Sequence, residues 1–104
     1  MVVAVTGADG FIGQHVCRYL TEHGMPVRQL TRHDYGDLND TKPIDWRPML
    51  IDCRHVVHTA GIAHAGYEDT IDIRKRLQRV NAEISAQILS QAAAIGVQRF
   101  IYIS

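Results

Sequence analysis

The stretch TGADGFIG at residues 6–13 decides the fold of this chain. It follows the apolar run VVAV at residues 2–5 and opens a segment whose apolar residues recur at helical spacing. Three glycines, each three residues apart, therefore lie between a predicted strand and a predicted helix. Gly7 permits a tight turn, Gly10 allows an anion to approach the backbone, and Gly13 lets the helix lie close to the sheet. Because the positive end of that helix faces the loop, this pattern predicts a binding site for a diphosphate.

The rest of the chain alternates predicted strands with predicted helices. Strands are expected at 2–6, 27–30, 55–60 and 99–103, and helices at 11–23, 46–51 and 71–95. A stub at 35–38 follows the second strand too soon for a parallel crossover, which needs about a dozen residues. We therefore expect this stub to be at most a short strand at the edge of the sheet.

This alternation predicts an α/β fold with a doubly wound parallel sheet and right-handed crossovers. With the stub counted as strand 3, the predicted strand order is (3)-2-1-4-5. The direction in which successive strands are added to the sheet then reverses between strands 1 and 4, which is the topological switch point. The glycine loop and the residues Thr59, Ala60 and Gly61 meet at that point, where folds of this kind bind their ligands.

Length and composition limit the class of protein to which this chain can belong. The chain has 104 residues, enough for one domain spanning 1–104, and 46% of them are hydrophobic. Eleven basic side chains balance eleven acidic ones, so no general field favours nucleic acid or an anionic membrane. No apolar run approaches the ~20 residues of a membrane span, and no signal peptide is recognised. We read Cys17 and Cys53 as reduced thiols, and expect a cytoplasmic protein.

Four segments together carry a resemblance to a known family. They are TGADGFIG at 6–13, GDL at 36–38, VVHTAG at 56–61 and RVNAEISAQILSQAAAIGVQRFIYIS at 79–104. In order and spacing they resemble the N-terminal half of an extended short-chain dehydrogenase/reductase of the NAD-dependent epimerase/dehydratase group. The similarity within the group is greatest to nucleotide-sugar 4-reductases and 4-epimerases. It implies the cofactor-binding half of an NAD(P)-dependent nucleotide-sugar epimerase, dehydratase or reductase, with a Rossmann-like fold.

The resemblance also implies roles for residues near the diphosphate and the adenine. Gly7, Gly10 and Gly13 form the phosphate turn. Phe11 and Ile12 present their backbone N–H groups to the pyrophosphate. Asp37 is implied to accept a hydrogen bond from the adenine amino group. Leu38 is implied to form one wall of the adenine pocket.

At the other end of the cofactor, Thr59, Ala60 and Gly61 are implied to lie along the ribose and the nicotinamide. Asn81, in the family's Val-Asn pair on the long helix, is implied to support the loop after the fourth strand. These assignments come from the resemblance and not from the spacing of the residues.

The chain departs from the family pattern at the end of the second strand. NAD-binding members usually carry there an acidic residue that holds the ribose 2′-hydroxyl, whereas this chain has Thr31 followed by Arg32. A neutral residue and a guanidinium suit a 2′-phosphate better, which favours NADP slightly over NAD. The alternative, that Arg32 is a solvated loop residue, stays open at this point.

The family's catalytic residues have no counterpart in these residues. The family's acid–base pair is Tyr-x-x-x-Lys, and none of Tyr19, Tyr35, Tyr67 and Tyr102 has a lysine four residues on. We therefore expect a truncated domain, with the substrate domain absent, that binds cofactor weakly or not at all and does not catalyse. An apolar sheet face left uncovered favours a homodimer or a missing C-terminal part. The alternatives are a non-catalytic, redox-sensing dinucleotide module or a fragment that acts by association.

Two further constellations are interpreted as structural. His55 and His58 lie three apart on a strand and so point to opposite faces, which argues against a metal site with His64. A basic cluster within 74–79 is read as a solvated helix face, or as a contact to ligand phosphates, and no aromatic platform accompanies it for nucleic acid. Asp9 is expected to cap the first helix rather than to contact a ligand.

Overall fold

Short apolar strands alternate with helices along the whole described chain. A computed structural model describes residues 2–38, 43–61 and 70–103. Its elements are β1 (Val2–Thr6), α1 (Phe11–Glu22), β2 (Val27–Leu30), α2 (Arg32–Tyr35), α3 (Arg47–Leu50), β3 (Cys53–His58), α4 (Ile71–Ala94) and β4 (Arg99–Tyr102). His64 and Tyr67 lie outside the described residues.

The described strands form one parallel sheet in the order β2-β1-β3-β4. In its centre, β1 pairs Val5 with Gln29 of β2 on one side and with Val57 of β3 on the other. Residues 3–6 are fully buried, as expected for a parallel strand covered on both faces. The predicted order 2-1-4-5 is confirmed, since predicted strands 4 and 5 are β3 and β4.

The predicted edge stub at 35–38 is wrong. A helical turn, α2, occupies Arg32–Tyr35 directly after β2, and no strand follows it up to Leu38. Thr31 and Asp34 form a capping box that starts this turn. Gly36, with φ of +85°, ends it. The N–H groups of Tyr35 and Gly36 donate within this turn, to the carbonyls of Thr31 and Arg32, so they do not pair with a strand.

Helices cover the two faces of the sheet with separate clusters of apolar side chains. On one face, α4 buries Ile84, Ile88 and Ala92 against Ala4 and Val56. On the other face, α1 lies over the cluster that contains Val3, Val5, Ala8, Cys17 and Val57. Because α1 follows β1 on one face and α4 follows β3 on the other, the carboxyl ends of β1 and β3 flank a crevice.

Trp46 attaches the segment before α3 to the long helix. Its side chain is completely buried, and its backbone N–H donates to Oε1 of Gln91 at 2.6 Å. The Gln91 amide in turn donates to the Ile44 carbonyl at 3.0 Å. Trp46 occupies the N-cap position of α3, and Asp45 lies one residue before it. The Asp45 carboxylate accepts from the Arg47 backbone N–H at 3.2 Å and pairs with the Arg47 guanidinium at 2.9 Å.

The cysteines, the helices and the outer strand of the described chain can each be compared with the sequence predictions. Cys17 and Cys53 are both buried and unpaired, and burial raises the pKa of each thiol. Within residues 2–38, 43–61 and 70–103, no helix is long and apolar enough to span a membrane. On the outer strand of the sheet, Ile101 and Tyr102 are 52% and 43% exposed.

Candidate dinucleotide-binding site

The glycine loop, residues 7–13, has no room for side chains at two of its three glycines. Gly7 has φ of +64°, and a Cβ there would lie 2.8 Å from both Ala60 N and Thr59 Oγ1. A Cβ at Gly13 would overlap the Gly7 carbonyl. At Gly10 a Cβ would meet only the Gly7 carbonyl oxygen, at 3.2 Å, so this position is less crowded than the other two. The loop therefore presents bare main chain next to the end of β3, as the sequence pattern predicts.

The amino end of α1 leaves backbone donors available beside that bare main chain. The N-cap is Gly10, and Gln14 N donates to its carbonyl at 2.9 Å. The N–H groups of Phe11, Ile12 and Gly13 therefore precede the first intrahelical bond. These donors and the positive end of the helix favour an anion at this point, so the residues present fit the diphosphate of a dinucleotide.

The prediction that Asp9 caps α1 is wrong. No side chain makes a capping hydrogen bond to this helix. The Gln14 amide reaches back to donate to the Asp9 main-chain oxygen at 2.8 Å, which stabilises the loop through the backbone of Asp9. The carboxylate of Asp9 is therefore directed elsewhere.

Thr6 and Thr59 bind the glycine loop to the end of β3. The Thr59 hydroxyl donates to the Thr6 carbonyl at 2.7 Å. The N–H groups of Thr59 and Ala60 lie 3.2 and 3.3 Å from the Thr6 hydroxyl oxygen, to which they donate. Thr59 and Ala60, both predicted site residues, are thus held against Gly7. Thr6 was not predicted as a site residue, although its position as a polar residue ending a buried strand is a signal for one.

His58 stands beneath this contact as a buried neutral base. Its Nδ1 lies 2.6 Å from the Thr6 hydroxyl, which donates to it because that oxygen already accepts from two N–H groups. Burial lowers the pKa of His58 to about 4, so the imidazole is neutral near pH 7. Its ring stacks on Tyr102 at 5.3 Å between centroids. Nε2 then carries the proton, and it has no partner within the described residues.

The segment after β2, residues 31–38, forms the other side of the site. The Thr31 N–H donates to Asp34 Oδ2 at 2.8 Å, and the Thr31 hydroxyl accepts from His33 N at 3.3 Å. The side chain of Thr31 is therefore engaged in capping α2. A cavity of about 410 Å³ adjoins this segment, lined by Asp9, Arg32, His33, Gly36 and Asp37. Arg32 and Asp37 are thus brought together as predicted site residues, and Asp9 joins them from the glycine loop.

Tyr35 connects this segment to the glycine loop, a contact that the sequence did not reveal. The ring is buried and packs on Trp46 with centroids 5.1 Å apart. Burial raises the pKa of Tyr35, and a hydrogen bond from the Gly7 main-chain N–H opposes that shift. Leu38 is buried in the cluster under α4, and its implied role at an adenine pocket stays a prediction.

Asn81 and Gly61 meet at the far end of the crevice. A Cβ on Gly61 would lie 3.3 Å from Asn81 Oδ1, so α4 approaches the loop after β3 at this point. The Asn81 carbonyl accepts from the Ser85 hydroxyl at 2.9 Å, within the same helix. In the part of the chain that is described, no group of His, Cys, Asp or Glu could hold a metal ion.

Comparison with known proteins agrees with this geometry. The model of the NAD dependent epimerase/dehydratase family matches residues 3–104. The chain is 31% identical to the 3-beta-hydroxysteroid dehydrogenase of Mycolicibacterium neoaurum, over 96% of this chain and 31% of that protein. It is 28% identical to the UDP-glucose 4-epimerase of Vibrio cholerae, over 98% of this chain and 34% of that protein.

A solved structure of MoeE5 in complex with UDP-glucose and NAD is also similar. It superimposes with a TM-score of 0.75 at 25% identity, over 98% of this chain and 36% of that chain. This chain thus spans about a third of the length of the curated relatives described above. Since the family model covers nearly all of it and the sheet has the Rossmann-like order, the chain belongs to the NAD dependent epimerase/dehydratase family.

Proposed function

We propose that this chain binds NAD or NADP along the carboxyl ends of β1, β2 and β3. The observation that carries the proposal is the glycine loop, where any side chain at Gly7 or Gly13 would meet backbone. Such close packing leaves main-chain donors of Phe11 and Ile12 facing outward beside Gly10. In this proposal those two N–H groups bind the pyrophosphate.

The other proposed contacts extend from this point in two directions. Toward the adenine, Asp37 accepts from the amino group and Leu38 forms a wall, while Thr31 and Arg32 lie at the ribose. Toward the nicotinamide, the contacts are made by residues that meet around the end of β3: Thr59, Ala60, Gly61 and Asn81. The hydrogen bonds that join Thr59 and Ala60 to Thr6 support this second set, because they fix the edge of the crevice.

The whole protein is proposed to act as an epimerase, dehydratase or reductase on a nucleotide sugar. The support is the likeness to the UDP-glucose 4-epimerase and to MoeE5, whose solved complex contains UDP-glucose and NAD. When bound, the nicotinamide supplies a site that accepts or donates a hydride. Residues of this chain bind and orient that cofactor, and we assign none of them as the acid–base group. The chain by itself is accordingly proposed to bind cofactor weakly and to have no turnover.

Single features support further proposals about the choice of cofactor, the assembly and the cellular location. Arg32 offers a guanidinium to a 2′-phosphate, which favours NADP slightly over NAD. The exposed Ile101 and Tyr102 on β4 support burial of this strand in a homodimer or under a further part of the protein. A cytoplasmic location is part of the same proposal, supported by the two unpaired thiols of Cys17 and Cys53.

A substitution at Gly10 tests the binding site without disrupting the fold. A methyl group at Gly10 would meet only the Gly7 carbonyl oxygen, at 3.2 Å, but it would occupy the approach of the diphosphate. We expect Gly10→Ala in the full-length natural polypeptide to weaken NAD and NADP binding at least about tenfold, by titration calorimetry.

Gly24→Ala is the control for a glycine outside the site, because nothing lies within 4 Å of an added Cβ. Its φ of +74° makes this variant less stable, which thermal unfolding measures separately from binding. Its binding should equal that of the unsubstituted protein. Unchanged affinity in Gly10→Ala would contradict the proposed site. Binding of a dinucleotide without turnover of any nucleotide sugar would favour the redox-sensing alternative over the enzyme.

A further inference from the structure

The Thr6 hydroxyl lies at the centre of a buried hydrogen-bond network between β1 and β3. Its oxygen accepts from the backbone N–H groups of Thr59 and Ala60, at 3.2 and 3.3 Å. A hydroxyl has two acceptor sites and one proton, so both acceptor sites are occupied and the proton needs an acceptor of its own. Nδ1 of His58, 2.6 Å away, is that acceptor. The imidazole therefore fixes the direction of all three hydrogen bonds that this hydroxyl makes.

The orientation of the His58 ring is held by contacts with β4. The side chain is completely buried, and its ring stacks on that of Tyr102 with centroids 5.3 Å apart. The His58 carbonyl accepts from the Ile103 N–H at 3.0 Å, which holds the chain directly after β4 beside it. Burial lowers the pKa of His58 to about 4, so Nδ1 keeps a free lone pair near pH 7. His58 thus joins the carboxyl ends of β1, β3 and β4.

The network reaches the glycine loop through Thr59 and Ala60. A Cβ at Gly7 would lie 2.8 Å from both Thr59 Oγ1 and Ala60 N, so the loop and the end of β3 are in close contact. The Thr59 hydroxyl lies 2.7 Å from the Thr6 carbonyl and 3.3 Å from the Gly7 carbonyl. Any displacement of Thr59 and Ala60 must therefore move Gly7 or loosen this contact. The backbone donors at the start of α1 belong to the same loop and depend on its position.

We propose that His58 is a positioning residue for dinucleotide binding, which acts through the Thr6 hydroxyl and contacts no ligand itself. This role rests on the proposed dinucleotide function and adds to it a residue outside every proposed cofactor contact. With an aliphatic side chain at position 58, the Thr6 proton loses its acceptor in a buried site. The hydroxyl then turns its proton elsewhere, and an N–H group of Thr59 or Ala60 loses its own acceptor. The edge of the crevice is no longer fixed against Gly7, so the site is less preorganised for the cofactor.

Substitutions at position 58 separate this role from a steric one. Titration calorimetry on the full-length natural polypeptide measures the dissociation constants of NAD and of NADP. We expect His58→Leu to raise both about tenfold, because preorganisation worth about one hydrogen bond is lost. His58→Asn places an amide oxygen close to the position of Nδ1 and should stay within about threefold of the unsubstituted protein. Leucine is closer to histidine in size than asparagine is, so a steric role predicts the reverse order.

Thr6→Val tests the same hydrogen bond from the other side and keeps the shape of the side chain. We expect this variant to raise both dissociation constants about tenfold, since it removes the hydroxyl on which His58 acts. The double variant Thr6→Val/His58→Leu should bind no more than about threefold more weakly than Thr6→Val alone. Independent roles would instead multiply the two losses. If His58→Leu does not fold, unchanged affinity in Thr6→Val overturns the proposal by itself.

Val56→Ala is the matched control for a loss of stability in β3. Val56 is completely buried two residues before His58 and packs in the cluster under α4. Removing part of its side chain should lower the free energy of unfolding, which urea unfolding measures. Both dissociation constants should stay unchanged in this variant, because the hydrogen bonds of Thr6 are intact.

The role of His58 and the dinucleotide site can be overturned separately. If the unsubstituted protein binds neither dinucleotide, the proposed function is wrong and the role of His58 falls with it. If it binds a dinucleotide and His58→Leu binds with the same affinity, only the role of His58 is overturned. Equal losses in His58→Leu and His58→Asn, or a similar loss in Val56→Ala, would show that the stability of β3 controls binding. Either result would also overturn the proposal.

Discussion

The two ends of the proposed cofactor site are constructed in opposite ways. In the glycine loop, the shape depends on missing side chains, since a Cβ at Gly7 or Gly13 would meet backbone. In the segment after β2, a Cβ at Gly36 would meet nothing within 4 Å, and the shape depends on side chains that are present. There the capping box of Thr31 and Asp34 starts α2, and Tyr35 anchors it.

This difference matches the parts of a dinucleotide that each end would contact. The diphosphate is common to NAD and NADP, and close backbone packing suits a group that never varies. The 2′ position is where the two cofactors differ, and side chains can be exchanged there without disturbing the backbone. The comparison therefore predicts that substitutions at Gly7 or Gly13 damage the fold, whereas side-chain substitutions after β2 mainly change selectivity.

Gly13→Ala should have the largest effect, because it tests the steric side of the comparison directly. The added methyl group would overlap the Gly7 carbonyl, and we expect a loss of about 3 kcal/mol or more in the free energy of unfolding. Urea unfolding measures it. Gly36→Ala has open space but a φ of +85° and a ψ of −168°, a combination that is nearly restricted to glycine, and should cost about 1–3 kcal/mol as backbone strain. Equal losses in the two variants would remove the distinction between the regions.

Because neutral His58 supports the glycine loop, the free energy of unfolding of the protein should depend on pH. The folded-state pKa is lowered from 6.5 to about 4, so below pH 6.5 the unfolded chain binds a proton that the folded chain does not. The contribution of His58 to the free energy of unfolding is then fully present above about pH 6.5, and it is lost as the pH falls toward 4. At about 1.4 kcal/mol for each pKa unit, the full loss is about 3 kcal/mol.

Urea midpoints measured across this pH window check the prediction. His58→Gln should remain able to accept from Thr6, and its unfolding free energy should lack this part of the pH dependence. If the difference between the two proteins is constant from pH 7 to pH 4, the burial of a neutral imidazole at this site is not the cause.

Tyr35→Phe should have the smallest effect of the three, and it tests a contact that joins the two regions. It removes the phenolic oxygen that accepts from the Gly7 N–H while keeping the ring against Trp46. We expect a loss of about 1 kcal/mol in unfolding free energy and weaker dinucleotide binding. Tyr19→Phe, on a ring that is 61% exposed on α1, should change neither. An unaltered Tyr35→Phe protein would show that the two regions are independent.

The success of sequence-based prediction also differed between the two regions. The strand, turn and helix around residues 6–13 were predicted correctly because the glycine spacing, the apolar run and the helical periodicity all favour one structure. The segment at 35–38 was assigned as a strand stub, although Thr31 and Asp34 carry the capping-box pattern of a helix start. For a segment this short, a local capping motif decides the structure, and the apolar pattern does not.

Contacts between distant parts of the chain could not be read from spacing at all. Asp9 was expected to cap its own helix, which would be a local interaction, but the structure directs it to a cavity shared with Arg32 and Asp37. Similarly, the contact of His58 with Thr6 joins residues 52 positions apart. The strand register places them side by side, and no periodicity encodes it.

The sequence by itself determined the alternation of strands and helices, the position of the glycine loop and the parallel order of β1, β2, β3 and β4, because each depends on local spacing and on crossover length. Only the tertiary structure decided which charges share the cavity and which polar groups support the loop. Those depend on how the carboxyl ends of separate strands come together, which is set by packing across the sheet and not by neighbours along the chain.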